Sequence, residues 1–333
     1  MNDTRQGPTG PQKIGETARP PILVTGLGRS GTSWVGRVLS APHDVAYILE
    51  PFNPALHFYG QFGPRLPGFF TYMAAHNADR YAAAVEDMLA FRYQPLAGLR
   101  AVLRPTLFRH SVRSARRFRE NRQLRRRPLI KDPSAVFSAP WLAERFAMRI
   151  VIMVRHPAAV AASFKRLDYP RVPFEHLLNQ SALMQDRLEA FRSELETVAA
   201  QPDALPIVEQ AALLWKVVNA VVADYRQEHP DWLILRNEDI ARDPENHFRQ
   251  LFETLDLSFS PNGERAVRAR ILRAEDAPPQ NPYSTRRHPA AAIAGWHRIL
   301  STDEIDAVRR RTEPIASAFY HDDDWSPREQ RDC

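Results

Sequence analysis

Ile22-Leu23-Val24-Thr25-Gly26-Leu27-Gly28-Arg29-Ser30-Gly31-Thr32-Ser33-Trp34 constrains this chain more than any other stretch, because it reads as a buried strand running through a glycine-rich turn into a helix. The glycines let several backbone N–H groups turn toward one anion, and the helix beginning near Gly31 adds the positive end of its dipole. Such a turn is a phosphate cradle. A nucleoside-triphosphate loop reads G-x-x-x-x-G-K-[ST], with the lysine on the β/γ-phosphates and the hydroxyl on magnesium. Gly26 and Gly31 keep the glycine spacing, but Thr32 stands at the lysine position and the cation, Arg29, precedes it. The loop therefore suits a shorter anion. An arginine at its apex can reach one bridging oxygen between two tetrahedral groups, while Gly28, Ser30 and the hydroxyls of Thr32 and Ser33 face phosphate oxygens without a metal. The plainer reading is a strand-to-helix turn whose glycines serve packing alone.

The rest of the chain alternates strand and helix patterns. After the strand at 22–26 come a helix near 31–40 and a strand Val45 to Leu49 that ends at Glu50-Pro51. Further strands are expected at 129–131, 149–154 and 232–235, and helices around 79–92, 98–123, 140–146, 174–199, 207–228 and 244–255. Apolar strands flanked by charge fit parallel strands covered on both faces. The pattern predicts an α/β chain: a three-layer, P-loop-like fold with a central parallel sheet flanked by helices. Residues 1–20 read as a flexible segment, 21–325 as a single domain, 52–127 as a mainly helical insertion that builds an acceptor pocket, and 326–333 as a tail. Ligands of such sheets sit at the carboxyl ends of the strands. Glu50, Lys131, Arg155 and Glu238 fall at those ends, as does the loop at 26–31.

Composition narrows the function classes. The 333 residues, 44% of them hydrophobic, suffice for one large domain. No run approaches the roughly 18 apolar residues of a membrane span, and Met1 to Arg19 has no apolar signal core. A soluble, cytoplasmic protein is expected. Cys333 is the only cysteine, which removes intramolecular disulfides and cysteine-based metal sites. The net charge is +6, and between Arg100 and Arg127 nearly every charge is arginine, with Glu120 the lone acid. A solvated helix face is the commonest form of such a block, an anionic acceptor or a weak peripheral membrane contact the others. Nucleic acid is disfavoured, since no aromatic platform interleaves the arginines.

Arg29-Ser30-Gly31-Thr32-Ser33-Trp34 resembles the 5′-phosphosulfate loop of sulfotransferases that use 3′-phosphoadenosine 5′-phosphosulfate (PAPS), and its arginine resembles the carbohydrate-type version. Ile150 to Pro157 followed by Ser163 is similar to that family's 3′-phosphate motif, with His156 where Asp or Asn is usual. Leu235-Arg236-Asn237-Glu238-Asp239-Ile240 looks like a third family segment, and Arg286-Arg287 before Gly295-Trp296 like its C-terminal cofactor clamp. The resemblance implies transfer of a sulfuryl group from PAPS to a hydroxyl of a sugar, lipid or natural product, with PAP (adenosine 3′,5′-bisphosphate) as product and no metal. It places Arg29 on the leaving group, Trp34 against adenine, and Arg155, Ser163, Arg286 and Arg287 on the 3′-phosphate. Glu50 matches the E-P of carbohydrate-type members, where the glutamate is a proposed base, and Lys131 could contact the sulfonate. Asp132 and His57 are the alternative bases. Arg155 could instead pair with a carboxylate, Trp34 could simply pack on the sheet, and Glu50 could be a surface carboxylate.

Two other functions compete. A kinase or other nucleoside-triphosphate enzyme needs a lysine where Thr32 stands and an acid to hold magnesium where the strand 150–154 ends in Arg155. A non-catalytic polyanion- or membrane-binding protein would rest on the arginine block alone. Oligomeric state is left open by the sequence.

Overall fold

The computed structural model describes residues 19–54, 66–92, 105–258, 261, 264, 265, 268 and 293–326. Its five strands are β1 (Ile22–Gly26), β2 (Val45–Leu49), β3 (Arg127–Lys131), β4 (Arg149–Val154) and β5 (Leu233–Arg236). The helices are α1 (Thr32–Leu39), α2 (Asp79–Leu89), α3 (Pro105–Gln123), α4 (Ala139–Phe146), α5 (Pro157–Arg166), α6 (Arg192–Ala200), α7 (Ile207–Glu228), α8 (Asn237–Arg242), α9 (Pro244–Thr254) and α10 (Thr302–Thr312), with shorter turns between them.

The strands form one sheet in the order β2-β3-β1-β4-β5, and every neighbouring pair is parallel. Parallel neighbours require crossovers, and here helices supply them. Because side chains alternate across a strand, Ile22 and Val24 join a core with α1 and α9, while Leu23 joins the core on the other face with α5 and α7. This is the expected three-layer, P-loop-like arrangement. The chain leaves β1 toward β2 on one side and later crosses to β4 on the other. A crevice therefore opens at the carboxyl ends of β1 and β4, the topological switch point where such sheets hold ligands.

Between β2 and β3 the described residues include the helices α2 and α3. Tyr81, Val85, Met88 and Phe118 belong to the same core as the sheet, so α2 and α3 extend that core. The arginine block divides physically. Arg113, Arg116, Arg117, Arg119, Arg122 and Arg125 are exposed. Arg127 is buried at the start of β3, where its Nε donates to the Pro20 carbonyl (2.6 Å) and its Nη1 to the Leu255 carbonyl. It holds the sheet's lower edge and cannot serve a surface. Among the described residues no helix is long and apolar enough to cross a membrane.

One expected helix does not run through. A helix at Glu175–Leu178 stops where Gln180 leaves helical angles (φ −108°, ψ 85°), and α-, π- and 3₁₀-helical turns then lead through 181–191 into α6. Its amide instead accepts the Tyr72 N–H (2.7 Å) and donates to the Phe70 (3.1 Å) and His176 (2.6 Å) carbonyls. A tertiary contact outweighs the helical pattern at that residue.

Candidate functional site

The loop after β1 is built by two glycines at which any other residue would be strained. Gly26 has φ 127°, and a Cβ there would lie 2.3 Å from the Met153 carbonyl oxygen of β4. Gly31 has φ 92°, and its Cβ would lie 2.2 Å from Asn237 Oδ1. Gly28 differs: a Cβ on it would meet no atom of the described residues within 4 Å, so among them the loop's outer face is open. The Ser30 N–H closes the turn on the Leu27 carbonyl (3.1 Å), and Arg29 sits between them at φ 75°, a strained conformation for an arginine. The Ser30 hydroxyl is buried without a hydrogen-bond partner among the described residues. No side chain caps α1 at Gly31, which leaves first-turn N–H groups directed at whatever lies over the loop.

The second motif meets the first. Arg155 follows β4, and its Nη1 donates to the Arg29 carbonyl (3.0 Å). Arg29 Nε in turn donates to the hydroxyl of Ser163 on α5 (2.9 Å). The sequence pairs Ser163 with Arg155 and sets Arg29 apart at the other anion, whereas the structure joins all three across the β1/β4 crevice. Two guanidinium groups and a buried hydroxyl there form a site for anionic oxygens. Trp34 is half-buried, with its ring edge-on to Phe248 of α9 (5.4 Å, 81°). It packs on the protein as the plainer reading expects and still has surface to offer a ligand.

Glu50, just past β2, adopts φ 44°, and its N–H donates to the Lys131 carbonyl (2.8 Å) at the end of β3. Its carboxylate is held from two sides. Lys131 Nζ pairs with Oε1, and Asn53 Nδ2 donates to Oε2 (2.9 Å). The Lys131 side chain is only 3% exposed and Glu50 21%, so the glutamate presents the accessible end of the pair.

Asp132 is removed as an alternative base. It is fully buried, and its carboxylate oxygens accept the backbone N–H groups of Phe52 (2.6 Å) and Ser134 (2.8 Å). Burial pushes its pKa up to about 7 against the opposing pull of those N–H donors. It shapes the turn that carries Glu50 and caps the short helix Pro133–Ser138. His57, Arg286 and Arg287 lie outside the described residues.

Glu238 is not a rim residue. Buried beneath the crevice, it accepts the backbone N–H of His156 at Oε1 (3.0 Å) and the hydroxyl of Tyr320 at Oε2 (3.0 Å). His156 lies in an aromatic cage, stacked on Trp296 (5.0 Å, 9°) and edge-on to Tyr320 (4.8 Å) and Trp325 (4.4 Å). Burial drives its pKa down to about 3, so the ring is neutral. Trp215 of α7 is fully buried, and its indole donates to the Arg155 carbonyl (2.7 Å). The segment Arg236-Asn237-Glu238-Asp239 flagged Glu238, whereas the contributions of Trp215, Tyr320 and Trp325 carry no local signal.

Comparison with known proteins gives one family. A family model described as "Sulfotransferase family" matches residues 20–261. Carbohydrate sulfotransferase 1 of Danio rerio is 22% identical over 347 residues, covering 92% of this chain and 79% of the relative. Its Mus musculus counterpart is 24% identical over 344 residues, covering 93% and 80%. Among solved structures, the sulfotransferase domain of the Synechococcus PCC 7002 olefin synthase superposes with a TM-score of 0.44 at 18% identity, over 91% of this chain and 98% of that one. STF9 from Mycobacterium avium gives 0.43 at 13% identity, over 91% and 77%.

Proposed function

This chain belongs to the sulfotransferase family, and we propose that it transfers a sulfuryl group from PAPS to an acceptor hydroxyl by in-line displacement. The observation that carries the reading is the meeting of Arg29, Arg155 and Ser163 over an open, glycine-built loop. The residues fit the donor: Gly28 leaves room above the loop, Ser30 offers an unused buried hydroxyl, and Thr32 replaces the lysine of a triphosphate loop. When bound, PAPS supplies an activated sulfuryl group whose bond to the 5′-phosphate oxygen breaks as the acceptor oxygen attaches.

The chain's own residues position and neutralise. The loop N–H groups and first turn of α1 hold the 5′ end, and Arg29 balances the negative charge that builds on the departing oxygen. Arg155 and Ser163 serve the 3′-phosphate. The Glu50 carboxylate takes the acceptor proton, oriented by Lys131 and Asn53. The acceptor class is an aliphatic hydroxyl. Carbohydrate is the choice that Glu50-Pro51, the arginine-type loop and the carbohydrate sulfotransferase relatives favour.

Arg29→Ala is expected to lower kcat by about 10² to 10³, the usual loss for one stabiliser of developing charge. Arg155→Ala is expected to raise the KM for PAPS with a smaller effect on kcat. Full turnover in Arg29→Ala, measured with labelled donor and a panel of sugar and lipid alcohols, would contradict the mechanism.

A further inference from the structure

Arg155 is held by its backbone from two sides. Trp215 of α7 donates its indole N–H to the Arg155 carbonyl (2.7 Å), and Glu238 of α8 accepts the N–H of the next residue, His156 (3.0 Å). All three partners are buried: Trp215 is 0% exposed, His156 2% and Glu238 3%. A peptide unit fixed at both ends in a close-packed interior fixes the direction in which its side chain leaves. The other Glu238 oxygen accepts the Tyr320 hydroxyl (3.0 Å), so one carboxylate joins this turn to the C-terminal segment whose Trp296 and Trp325 enclose His156.

A carboxylate suits this place because its two oxygens accept an N–H and an O–H together. With a shorter or apolar side chain the His156 N–H would be buried without a partner. The turn would then relax toward some other acceptor, and the Arg155 guanidinium, now reaching the Arg29 carbonyl, would move with it.

We propose that Glu238 and Trp215 are positioning residues for Arg155: they aim its guanidinium at the donor's 3′-phosphate without touching the donor. The proposal rests on the sulfotransfer reading. It assigns the third sequence segment, Arg236-Asn237-Glu238-Asp239, a role in recognising a phosphate that the segment does not contact. It also explains why β5 and α8 must lie beside β4. The selectivity of the crevice for a 3′-phosphorylated nucleotide is thereby built partly on the element behind it.

The test is calorimetric titration of the full chain with adenosine 3′,5′-bisphosphate and, separately, adenosine 5′-monophosphate. Their affinity ratio isolates the 3′-phosphate. Glu238→Ala is expected to lower that ratio about tenfold, the equivalent of one weakened charge-assisted contact. Glu238→Gln, whose carbonyl can still accept the His156 N–H, should stay within about threefold of the parent. Tyr320→Phe should lower the melting temperature and leave the ratio unchanged. In an Arg155→Ala background, Glu238→Ala should produce no further change in the ratio, since the residue acts through Arg155. If the alanine variant is too unstable to titrate, Trp215→Phe carries the same expectation of a selective loss. Equal losses for both nucleotides, or an undiminished effect without Arg155, would overturn the proposal. A parent protein that shows no preference for the bisphosphate would overturn the sulfotransfer reading and this inference with it.

Discussion

At the scale of single residues, the site separates groups that meet a ligand from groups that hold those groups still. Glu50 and Asp132 illustrate the difference. Both are carboxylates at the end of a strand in the sequence, but only Glu50 keeps an exposed edge, while Asp132 spends both oxygens on backbone N–H groups. Glu50→Gln is expected to lower kcat by about 10² with PAP affinity nearly unchanged, in line with removal of a general base. Unchanged turnover, in the same steady-state assay, would place the base elsewhere. His156 gives a prediction about stability. Its pKa lies near 3 in the folded chain against 6.5 for an ordinary histidine, so above 6.5 both states are neutral and the buried ring contributes fully. Below 6.5 the unfolded chain takes up a proton that the folded chain refuses, and stability falls by about 1.4 kcal/mol per pH unit down to the folded pKa. His156→Phe keeps the aromatic stack and loses two ring nitrogens that have no hydrogen-bond partner among the described residues. Urea midpoints measured from pH 7.5 to 4.5 should therefore fall less steeply in His156→Phe than in the parent; parallel slopes would show that another group controls the acid limb.

At the scale of elements, the strand-loop-helix unit is the part most legible in the sequence, because each requirement is local. β1 is a continuous apolar run, Gly26 and Gly31 have left-handed or otherwise restricted φ, and α1 begins directly after Gly31. The glycines make the two faces of the loop separately testable. Gly31→Ala puts a methyl into Asn237 at an unfavourable φ and should destabilise the chain by roughly 1–3 kcal/mol. Gly28→Ala adds a methyl to open space. It should leave the melting temperature unchanged and weaken PAP binding, because the added carbon stands where the 5′ end must approach. Unchanged PAP affinity in Gly28→Ala, measured by calorimetric titration, would show that the loop's outer face is not the binding face. Elements set by distant partners were less legible. The break at Gln180 depends on backbone groups of Phe70 and Tyr72, more than a hundred positions away, and no periodicity in 174–199 reports them.

At the scale of the whole molecule, strand order determines what meets what. The alternation of strands and helices indicated a parallel sheet but not the order β2-β3-β1-β4-β5, and it is this order that sets β1 against β4 and brings Arg155 to the Arg29 carbonyl. Arg29, Arg155 and Ser163 were therefore nameable from their motifs, while their joining was not. The same holds for the C-terminal residues. Tyr320 and Trp325 reach the site because α10, which leads into their turns, packs on α7 and α5, and His156 and Tyr320 meet although some 160 positions apart. The proposed function requires this crevice to take a 3′-phosphorylated adenosine donor without the metal and lysine of a triphosphate site. Titration of the full chain with adenosine 3′,5′-bisphosphate and with ATP, each with and without magnesium, tests it most directly. The bisphosphate should bind more tightly than ATP and be indifferent to magnesium. Tighter binding of ATP that depends on magnesium would contradict it.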